Sequence, residues 1–385
     1  SLRAEKIMQD RLFRNPKIAV LWNHAPEDIV GSENPPSVEG LRVLDLTRLL
    51  PGAVATEWLA DFGADVIKIE QPGVGDYARS LFASIFEATN RGKRSVELDL
   101  KDASGRAALM ALARTADVLI ESFRPGVMDR LGVGCAALRA VNPRLIYVAL
   151  TGYGQDGPRR DEAGHDINYL AQAGVFEMLG AVPGVQMADI AGGSMQAVIG
   201  VLLALAARER TGVGQFVDVS MTRGVAELLA IPLAELRTGG EGPGLGETVL
   251  NGGYACYNVY RCRDGRRLAV GALEPKFWAA LCGALGRGDL VERQFAADQE
   301  GLKAELGAVF LRDDAEAWDR ALRGHDGCVT LVRTVGEVAA CDWLRLDQPA
   351  PRLSATPGRR GGSAPRLGEH TRDVLREAGI IDVEE

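Results

Sequence analysis

One histidine stands beside an aspartate in the segment EAGHDINYLAQAG at 162–174. The chain of 385 residues has only four histidines, and this one is His165, followed by Asp166. Because the unperturbed imidazole pKa lies near neutrality, such a residue can accept or release a proton under physiological conditions. A histidine at the start of an apolar helix can also be purely structural. The segment therefore indicates either a proton-transfer group or a structural histidine, and both interpretations stay open at this point.

Two carboxylates are further candidates for acid–base chemistry. Asp189 precedes the apolar stretch MQAVIGVLLALAA (195–207), and Glu274 directly precedes Pro275. A carboxylate can act as a general base or, on an activated carbonyl, as a nucleophile. Both residues also suit the first turn of a helix, where acidic side chains interact favourably with the free N–H groups and the helix dipole. Taken one at a time, each is explained by that structural role.

A basic cluster indicates where an anionic ligand could bind. Three cations fall within RGKR (91–94), and Arg124 and Arg130 follow a predicted strand that ends near Ser122. Guanidinium and ammonium groups bind phosphates, although a run of charges is otherwise a solvated surface. The position of these residues after predicted strands favours a ligand, since parallel sheets bind ligands at the carboxyl ends of their strands.

Composition limits the classes of function. The formal net charge of −8 argues against general nucleic-acid binding. Six cysteines are scattered, and the spacing of the closest pair, Cys256 and Cys262, matches no common zinc module. We therefore expect no metal, free thiols and a reducing cytoplasm, and we recognise no signal peptide. The apolar stretch at 195–207 is too short to span a bilayer, so no membrane partner is expected.

The order of predicted elements indicates an α/β fold. Between residues 41 and 151, helical segments alternate with the apolar strands LRVLDL, DVIKIE, SVELDL, DVLIES and LIYVALT. Alternation of this kind predicts βαβ units and a parallel sheet with helices on both faces. The match to G-x-G-x-x-G in GYGQDG (152–157) is followed by PRRDEAG. Because that segment opens no helix, a dinucleotide site is not expected there.

The second half of the chain has a different pattern. Residues 238–253 contain seven glycines and a proline, which indicates a linker or loop and a domain boundary. The segment YACYNVYRCRDGRRLAVGA predicts a β-hairpin that turns at Asp264-Gly265. Helical patterns follow at 275–287, 300–311 and 314–323.

The chain resembles the class III CoA-transferase superfamily, also called CaiB/BaiF, in six blocks taken in order. These are LRVLDLTRLLPGAVATEWLADFGADVIKIEQPG, NRGKRSVELDLK, ESFRPGVMDRLGVG, NPRLIYVALTGYGQDGP, ARERTGVGQFVDVSM and LGEHTRDVLREAGI. Within that superfamily, AGHDINYLAQAGV and YRCRDGRRLAVGALEPKFW resemble the α-methylacyl-CoA racemase branch. The similarity runs from about Leu41 to the C-terminus.

The resemblance implies a two-domain subunit. A Rossmann-like large domain with a parallel sheet would contain residues 37–229 and, after a smaller α+β domain at 230–335, residues 336–385. Residues 1–36 would be an N-terminal extension that precedes the usual start of the family. Two such subunits would interlock as a homodimer, with each active site at the interface between them.

The resemblance also implies an acyl-CoA substrate, no further cofactor and a set of CoA-binding residues. These are Lys93, Leu98, Lys101, Ser122, Phe123, Arg124, Arg130, Gly164 and Tyr169. One departure concerns Gln71, where racemases usually have arginine. A phosphate contact is then either missing or supplied by Arg48 or Arg79.

The racemase branch implies catalytic roles for His165, Asp189 and Glu274. Racemisation removes the α-proton of an acyl thioester, passes through a planar enolate and returns a proton to the other face, so it calls for two bases. His165 and Asp189 would be these bases, and Glu274 would hold the imidazole. Helix N–H groups beside Asp189 would stabilise the enolate oxygen.

CoA-transferase activity is the alternative within the same superfamily. In that branch the aspartate matching Asp189 attacks the thioester, forms an acyl-aspartyl anhydride and then carries CoA as an aspartyl thioester. Such enzymes generally lack the histidine of G-H-D, so His165 favours racemisation. Asn251 and Tyr254 depart from the racemase pattern, and Tyr254 would narrow or reshape the acyl pocket.

Overall fold

The computed structural model describes residues 38–238 and 242–381. The N-terminal extension predicted at 1–36 lies outside the described residues. Residue 37, residues 239–241 of the glycine-rich segment and residues 382–385 lie outside them as well.

A sheet of six parallel strands forms the centre of the larger region. Its strands are β1 (Arg42–Leu46), β2 (Asp65–Glu70), β3 (Arg94–Glu97), β4 (Val118–Glu121), β5 (Ile146–Thr151) and β6 (Phe216–Ser220). They lie in the order β3-β2-β1-β4-β5-β6, and every neighbouring pair is parallel. The predicted parallel sheet is thus confirmed. The chain reverses its direction across the sheet between β1 and β4, which is where such sheets bind ligands.

Helices connect these strands and cover both faces of the sheet. The helices of this region are Leu50–Asp61, Ala78–Leu81, Ala83–Thr89, Ala103–Ala113, Val127–Arg130, Cys135–Val141, Asp166–Gln172, Val175–Leu179, Gln196–Thr211, Met221–Ala226, Glu227–Leu229 (3₁₀), Ala230–Arg237 and Thr371–Glu377. Because both faces are covered, β4 and β5 are buried from end to end.

Alternating side chains of the strands build two apolar cores, one on each face of the sheet. On one face, Val43 and Val118 belong to a core that includes buried residues of the first long helix. On the other face, Leu44 and Leu119 belong to a core that Val374 of the C-terminal helix joins. The alternation follows the pleat of the strands. The end of the chain therefore packs on the parallel sheet.

A second sheet of three antiparallel strands has a core of its own. Its strands β7 (Tyr257–Arg261), β8 (Arg267–Gly271) and β9 (Val329–Leu331) lie in that order. The remaining helices are Val249–Asn251 (3₁₀), Pro275–Ala284, Gly288–Arg293 (3₁₀), Gln299–Phe310, Ala315–Leu322, Val335–Ala339 and Asp342–Leu344 (3₁₀). Trp278 and Phe310 are buried in its core. The predicted hairpin is present, and Gly265 in its turn has φ 80°, a left-handed conformation that glycine adopts readily.

One helical run is longer than the apolar stretch seen in the sequence. Ala188–Met195 forms a π-helix that continues directly into the α-helix Gln196–Thr211. By length and composition alone, this run of 24 residues could cross a membrane. Its residues Ala197 and Val201, however, belong to the core on one face of the parallel sheet, which makes the run part of the folded domain.

Candidate active site

The G-H-D segment lies in the connection after β5, where the helix Asp166–Gln172 begins. His165 directly precedes that helix, and its backbone N–H donates a hydrogen bond to Asn168 Oδ1 at 3.0 Å. This local bond satisfies a donor that would otherwise be left free at the helix start. The residue is exposed, so its imidazole is accessible to a ligand.

Asp189 is held directly against the G-H-D segment. Its backbone N–H donates to Asp166 Oδ1 at 2.9 Å. Burial, together with the negative charge of Asp166, raises the pKa of the Asp189 carboxyl to about 7. The segments that carry the two predicted bases, His165 and Asp189, are thus joined, and Asp166 is the residue that joins them.

Tyr169 packs beside these residues. Its hydroxyl donates to the carbonyl oxygen of Gly164, and its ring lies edge-on to Tyr153 with centroids 5.3 Å apart. A Cβ on Gly164 would come within 2.7 Å of the Tyr169 ring, so close packing requires the glycine before His165. Burial and the charge of Asp189 raise the pKa of Tyr169 to about 12, which keeps its hydroxyl protonated. Gly164 and Tyr169, both predicted to bind CoA, therefore lie next to the candidate bases.

Two glycines set the position of the π-helix that carries Asp189. A Cβ on Gly192 would lie 2.3 Å from the carbonyl oxygen of Met221, and a Cβ on Gly224 would lie 2.3 Å from the carbonyl oxygen of Gly192. The two backbones approach each other where no side chain fits. π-helices are rare and are frequent at functional sites, and this one carries Asp189 in its first turn.

Glu274 belongs to the region of the three-stranded sheet. It is exposed and directly precedes the helix Pro275–Ala284. Among the residues that the structure describes, no hydrogen bond or ion pair joins its carboxylate to His165 or Asp189. A single chain therefore shows no contact through which Glu274 could hold the imidazole.

A cavity of about 190 Å³ lies at the carboxyl ends of β1 to β4. Three residues predicted to bind CoA line it, namely Leu98, Lys101 and Phe123. Arg48 and Gln71 line it as well, and the Arg48 guanidinium lies over the Phe123 ring, 5.4 Å from its centroid. Apolar walls, an aromatic face and two cations line it beside the carboxylates of Glu70 and Asp99. The aromatic face and the cations suit a planar base with attached phosphates.

The two arginines that could replace the contact missing at Gln71 differ in availability. Arg79 binds both carboxylate oxygens of Glu70, at 2.8 Å from Nε and 2.7 Å from Nη2. Its guanidinium also lies over the Phe86 ring, 4.0 Å from the centroid. Because Arg79 is engaged inside the protein and Arg48 lines the cavity, the structure favours Arg48 for this contact.

The residues predicted after β4 lie on one exposed loop and a short helix. Arg124 and Arg130 are both exposed there. Ser122 precedes them, and its Oγ accepts a hydrogen bond from the backbone N–H of Arg48 at 3.1 Å. The loop is thus tied to the turn that carries the cavity arginine.

Lys93 has a different environment from the one that RGKR suggested. Its side chain is fully buried, and its Nζ lies 3.1 Å from Asp45 Oδ2. The ammonium also donates to Thr56 Oγ1, Asn90 Oδ1 and the carbonyl oxygen of Ala53. Burial lowers the pKa of Lys93 to about 8. Protein acceptors thus occupy the donors of Lys93, which links β1, the helix Leu50–Asp61 and the segment before β3. This arrangement gives no support to its predicted contact with CoA.

One acidic residue at the same edge was not predicted. Glu121 ends β4, is 5% exposed and accepts a hydrogen bond from the Phe123 N–H at 2.7 Å. Burial raises the pKa of Glu121 to about 7. It therefore supports the loop that carries Ser122 and Phe123. The sequence feature that could have identified Glu121 is its position as the last residue of an apolar strand, immediately before that loop.

Comparison with known proteins identifies the family. A sequence model of CoA-transferase family III matches residues 38–371. The chain is 37% identical over 367 residues to alpha-methylacyl-CoA racemase of Homo sapiens, which covers 89% of this chain and 94% of that protein. It is 31% identical over 389 residues to succinyl-CoA:mesaconate CoA-transferase of Haloarcula marismortui, over 89% of this chain and 97% of that one.

Solved structures agree with this result. A CaiB/BaiF family protein from Brucella suis has a TM-score of 0.77 at 28% identity, covering 89% of this chain and 99% of its own. The Rv3272 protein of M. tuberculosis has a TM-score of 0.76 at 31% identity, covering 89% and 100%. The six-stranded parallel sheet and the separate antiparallel sheet are thus the fold of these proteins. The chain belongs to CoA-transferase family III, whose members similar to it include both racemases and CoA-transferases.

Proposed function

We propose that the protein is a racemase of 2-methylacyl-CoA thioesters that works by proton transfer at the α-carbon. The observation that carries this proposal is the hydrogen bond from the Asp189 N–H to Asp166, the neighbour of His165. It joins the segment that carries His165 to the residue Asp189, whose carboxyl has a pKa of about 7. Acyl transfer to a carboxylate needs no such histidine, whereas a two-base proton transfer does.

The reaction divides between the two bases. In one direction the ionised Asp189 takes the α-proton, the thioester oxygen receives the enolate charge, and protonated His165 returns a proton to the opposite face. In the other direction the two residues exchange roles. A carboxyl group with a pKa of about 7 can both accept and return a proton near neutral pH. In the first turn of the π-helix, the N–H groups of Asp189 and Ile190 donate to Asp166 Oδ1 and to the Gln186 carbonyl oxygen, so these two are not available to stabilise the enolate oxygen.

The cavity at β1 to β4 would hold the nucleotide end of the substrate. Phe123 and Leu98 offer apolar contact to the adenine, and Arg48 with Lys101 offers charge to the phosphates. Arg124 would extend this positive charge along the loop after β4. Coenzyme A enters as part of the substrate, and the residues named here do the proton transfer without a further cofactor.

The homodimer is part of the same proposal. The helix Gln196–Thr211 exposes a row of large apolar side chains, of which Ile199 and Leu202 are each 46% and Leu203 is 65% exposed. Apolar patches of this kind are typical of protein interfaces. Two interlocked chains would cover the row, and Glu274 of the partner subunit would then reach the imidazole of His165.

For the cellular setting we propose what the sequence predicts. All six cysteines are free, which is compatible with a reducing compartment, and the net charge of −8 does not favour nucleic acid. Among the described residues, no group of histidine, cysteine, aspartate and glutamate could hold a metal ion. We place the enzyme in the cytoplasm, with an acyl-CoA and a second copy of the chain as its partners.

CoA transfer between carboxylic acids is the second candidate. It would use Asp189 as a nucleophile, and several relatives carry this activity in their names, among them a succinyl-CoA:glutarate CoA-transferase of Mus musculus at 30% identity. The departures at Asn251 and Tyr254 from the racemase pattern also favour it. Asn251 is partly buried, where its amide donates to the Gly244 carbonyl oxygen at 2.9 Å, so it shapes the loop before β7.

Deuterium incorporation separates the two reactions. We expect the protein, incubated with a 2-methylacyl-CoA in D2O and no acceptor acid, to place deuterium at the α-carbon, as followed by mass spectrometry. His165→Ala and Asp189→Ala should both lose this exchange. A transferase would give no exchange, would turn over only with a carboxylic acid acceptor, and would lose activity to hydroxylamine through its aspartyl thioester. That result would refute the racemase proposal and support the second candidate.

A further inference from the structure

A single tight turn contacts both ends of the proposed site. The turn 47–51 connects β1 to the helix Leu50–Asp61. On one side, Arg48 lines the cavity and lies over Phe123. On the other, the carbonyl oxygen of Pro51 accepts a hydrogen bond from Ser194 Oγ at 2.7 Å, within the π-helix that carries Asp189. A shift of this turn would therefore disturb the nucleotide cavity and the acid–base residues together.

The backbone of the turn adopts a conformation that side-chain-bearing residues rarely occupy. Leu49 has φ 61° and ψ −146°, a region that is populated almost only by glycine. Such a conformation persists only when the surrounding structure holds it. The holding contact is direct, because the Leu49 N–H donates to both oxygens of Asp76, at 3.0 and 3.2 Å.

Buried charges hold Asp76 and the rest of the turn. Lys68 Nζ lies 3.0 Å from Asp76 Oδ2 and donates to the carbonyl oxygen of Thr47 at 3.0 Å. Asp45 accepts hydrogen bonds from both the N–H and the hydroxyl of Thr47. Lys68 and Asp45 are fully buried, and Asp76 and Thr47 are 2% exposed. Buried ion pairs are often no more stabilising than apolar residues of the same volume, so stability alone gives no reason for this arrangement.

We propose that Lys68 and Asp76 are positioning residues that fix the turn 47–51 and thereby align the nucleotide cavity with Asp189. Neither residue lines the cavity, and both act through the turn. The inference rests on the proposed function for the identity of the reaction. The positioning role of Lys68 and Asp76 rests only on the geometry of the turn.

The test compares two single variants, each of which removes one contact of the turn, with a double variant that removes the buried ion pair holding the turn. Arg48→Ala should raise KM for the thioester with little change in kcat, and Ser194→Ala should lower kcat with little change in KM. The charge-balanced variant Lys68→Met/Asp76→Ala should change both, each by at least about tenfold, because small displacements of reacting groups have effects of that size. In this variant Asp45 keeps its pairing with Lys93.

A second, partly buried ion pair at the opposite edge of the sheet supplies the matched control. Arg208 lies 2.9 Å from Asp117 Oδ1, just before β4, and Arg208→Met/Asp117→Asn removes that pair without touching the turn. We expect this control to lose stability and to keep KM and kcat. Equal losses of activity in both double variants, or unchanged kinetics in Lys68→Met/Asp76→Ala, would overturn the inference.

Amide hydrogen exchange tests the positioning role independently of which reaction the protein catalyses. The segment 46–54 should exchange faster by at least about tenfold in Lys68→Met/Asp76→Ala and should be unchanged in the control. Unchanged exchange in both variants overturns the positioning role. Wild-type protein that neither deuterates nor transfers an acyl-CoA refutes the proposed function, while the exchange result still decides the role of Lys68 and Asp76.

Discussion

At the scale of single residues, the charge of Asp166 helps to set the proton affinity of Asp189. The Asp189 carboxyl can act as a base only when ionised, so α-proton exchange should rise with pH through about 7. Asp166→Asn keeps an oxygen that accepts the Asp189 N–H but removes the negative charge, which lowers the pKa of Asp189. We expect the acidic limb of the exchange rate to move to lower pH, measured by mass spectrometry across the neutral range.

A change of charge at a nearby exposed position is the control for that shift. Asp161 is 77% exposed at its side chain and lies in the same connection after β5, so Asp161→Asn removes the same charge with solvent screening. It should leave the acidic limb in place. If the two variants shift the limb equally, or if neither does, Asp166 does not tune Asp189.

The sequence allowed the candidate residues of the site to be named, but it did not allow their surroundings to be predicted. His165 and Asp189 could be named from the sequence because their chemistry and order were visible there. The hydrogen bond that joins Asp166 to Asp189 was not, since it depends on how two distant segments pack. For Lys93 the local sequence was misleading. RGKR indicates a basic surface, whereas this lysine is buried and donates to Asp45, which lies in another strand.

At the scale of elements, the approach of two backbones determines where the π-helix sits. A methyl group at position 192 would lie 2.3 Å from the Met221 carbonyl oxygen, so one of the two helices must move. We expect Gly192→Ala to cost about 1–3 kcal/mol of unfolding free energy and to reduce exchange activity by displacing Asp189. Denaturant titration and the deuterium assay measure the two effects.

A glycine in the preceding segment provides the comparison. A Cβ on Gly184 would meet no atom within 4 Å, so Gly184→Ala should leave stability and activity near wild type. A Gly192→Ala protein that matches it in both respects would show that the π-helix tolerates the displacement. The π-helix itself could not be predicted, because apolar periodicity marks the helix Gln196–Thr211 but carries no signal of an inserted residue.

At the scale of the whole molecule, alternation of strands and helices predicted the parallel sheet, and the Asp264-Gly265 turn predicted the hairpin of the second region. The order of the six strands follows from packing over long distances, which no local pattern records. The same holds for the return of the chain end, where the His370 N–H donates to the Ser95 carbonyl oxygen at 2.9 Å beside β3. The resemblance to the family implied the return of the chain end to the large domain, because the fold is shared with its relatives, and it gave no strand order.

The division of the proposed site between two chains leads to a complementation experiment. If His165 of one subunit works with Glu274 of the partner subunit, a heterodimer of His165→Ala and Glu274→Ala chains contains one intact site and one doubly defective site. Each homodimeric variant should be inactive, and the heterodimer should recover about half of the wild-type exchange, since one of its two sites is complete. Co-expression with two affinity tags isolates the heterodimer, and light scattering verifies a mass twice the 41.1 kDa of the chain.

A second heterodimer distinguishes shared sites from general rescue. His165 and Asp189 lie in the same part of one chain, joined through Asp166, so chains carrying His165→Ala and Asp189→Ala leave both sites defective, and no activity should return. Recovery in the second heterodimer would mean that His165 of one chain and Asp189 of the other meet in one site, which contradicts the proposed arrangement. No recovery in either would place Glu274 in the same chain as the bases, whereas an active Glu274→Ala homodimer would place it outside the reaction. In both cases the interlocked arrangement would lose its functional basis.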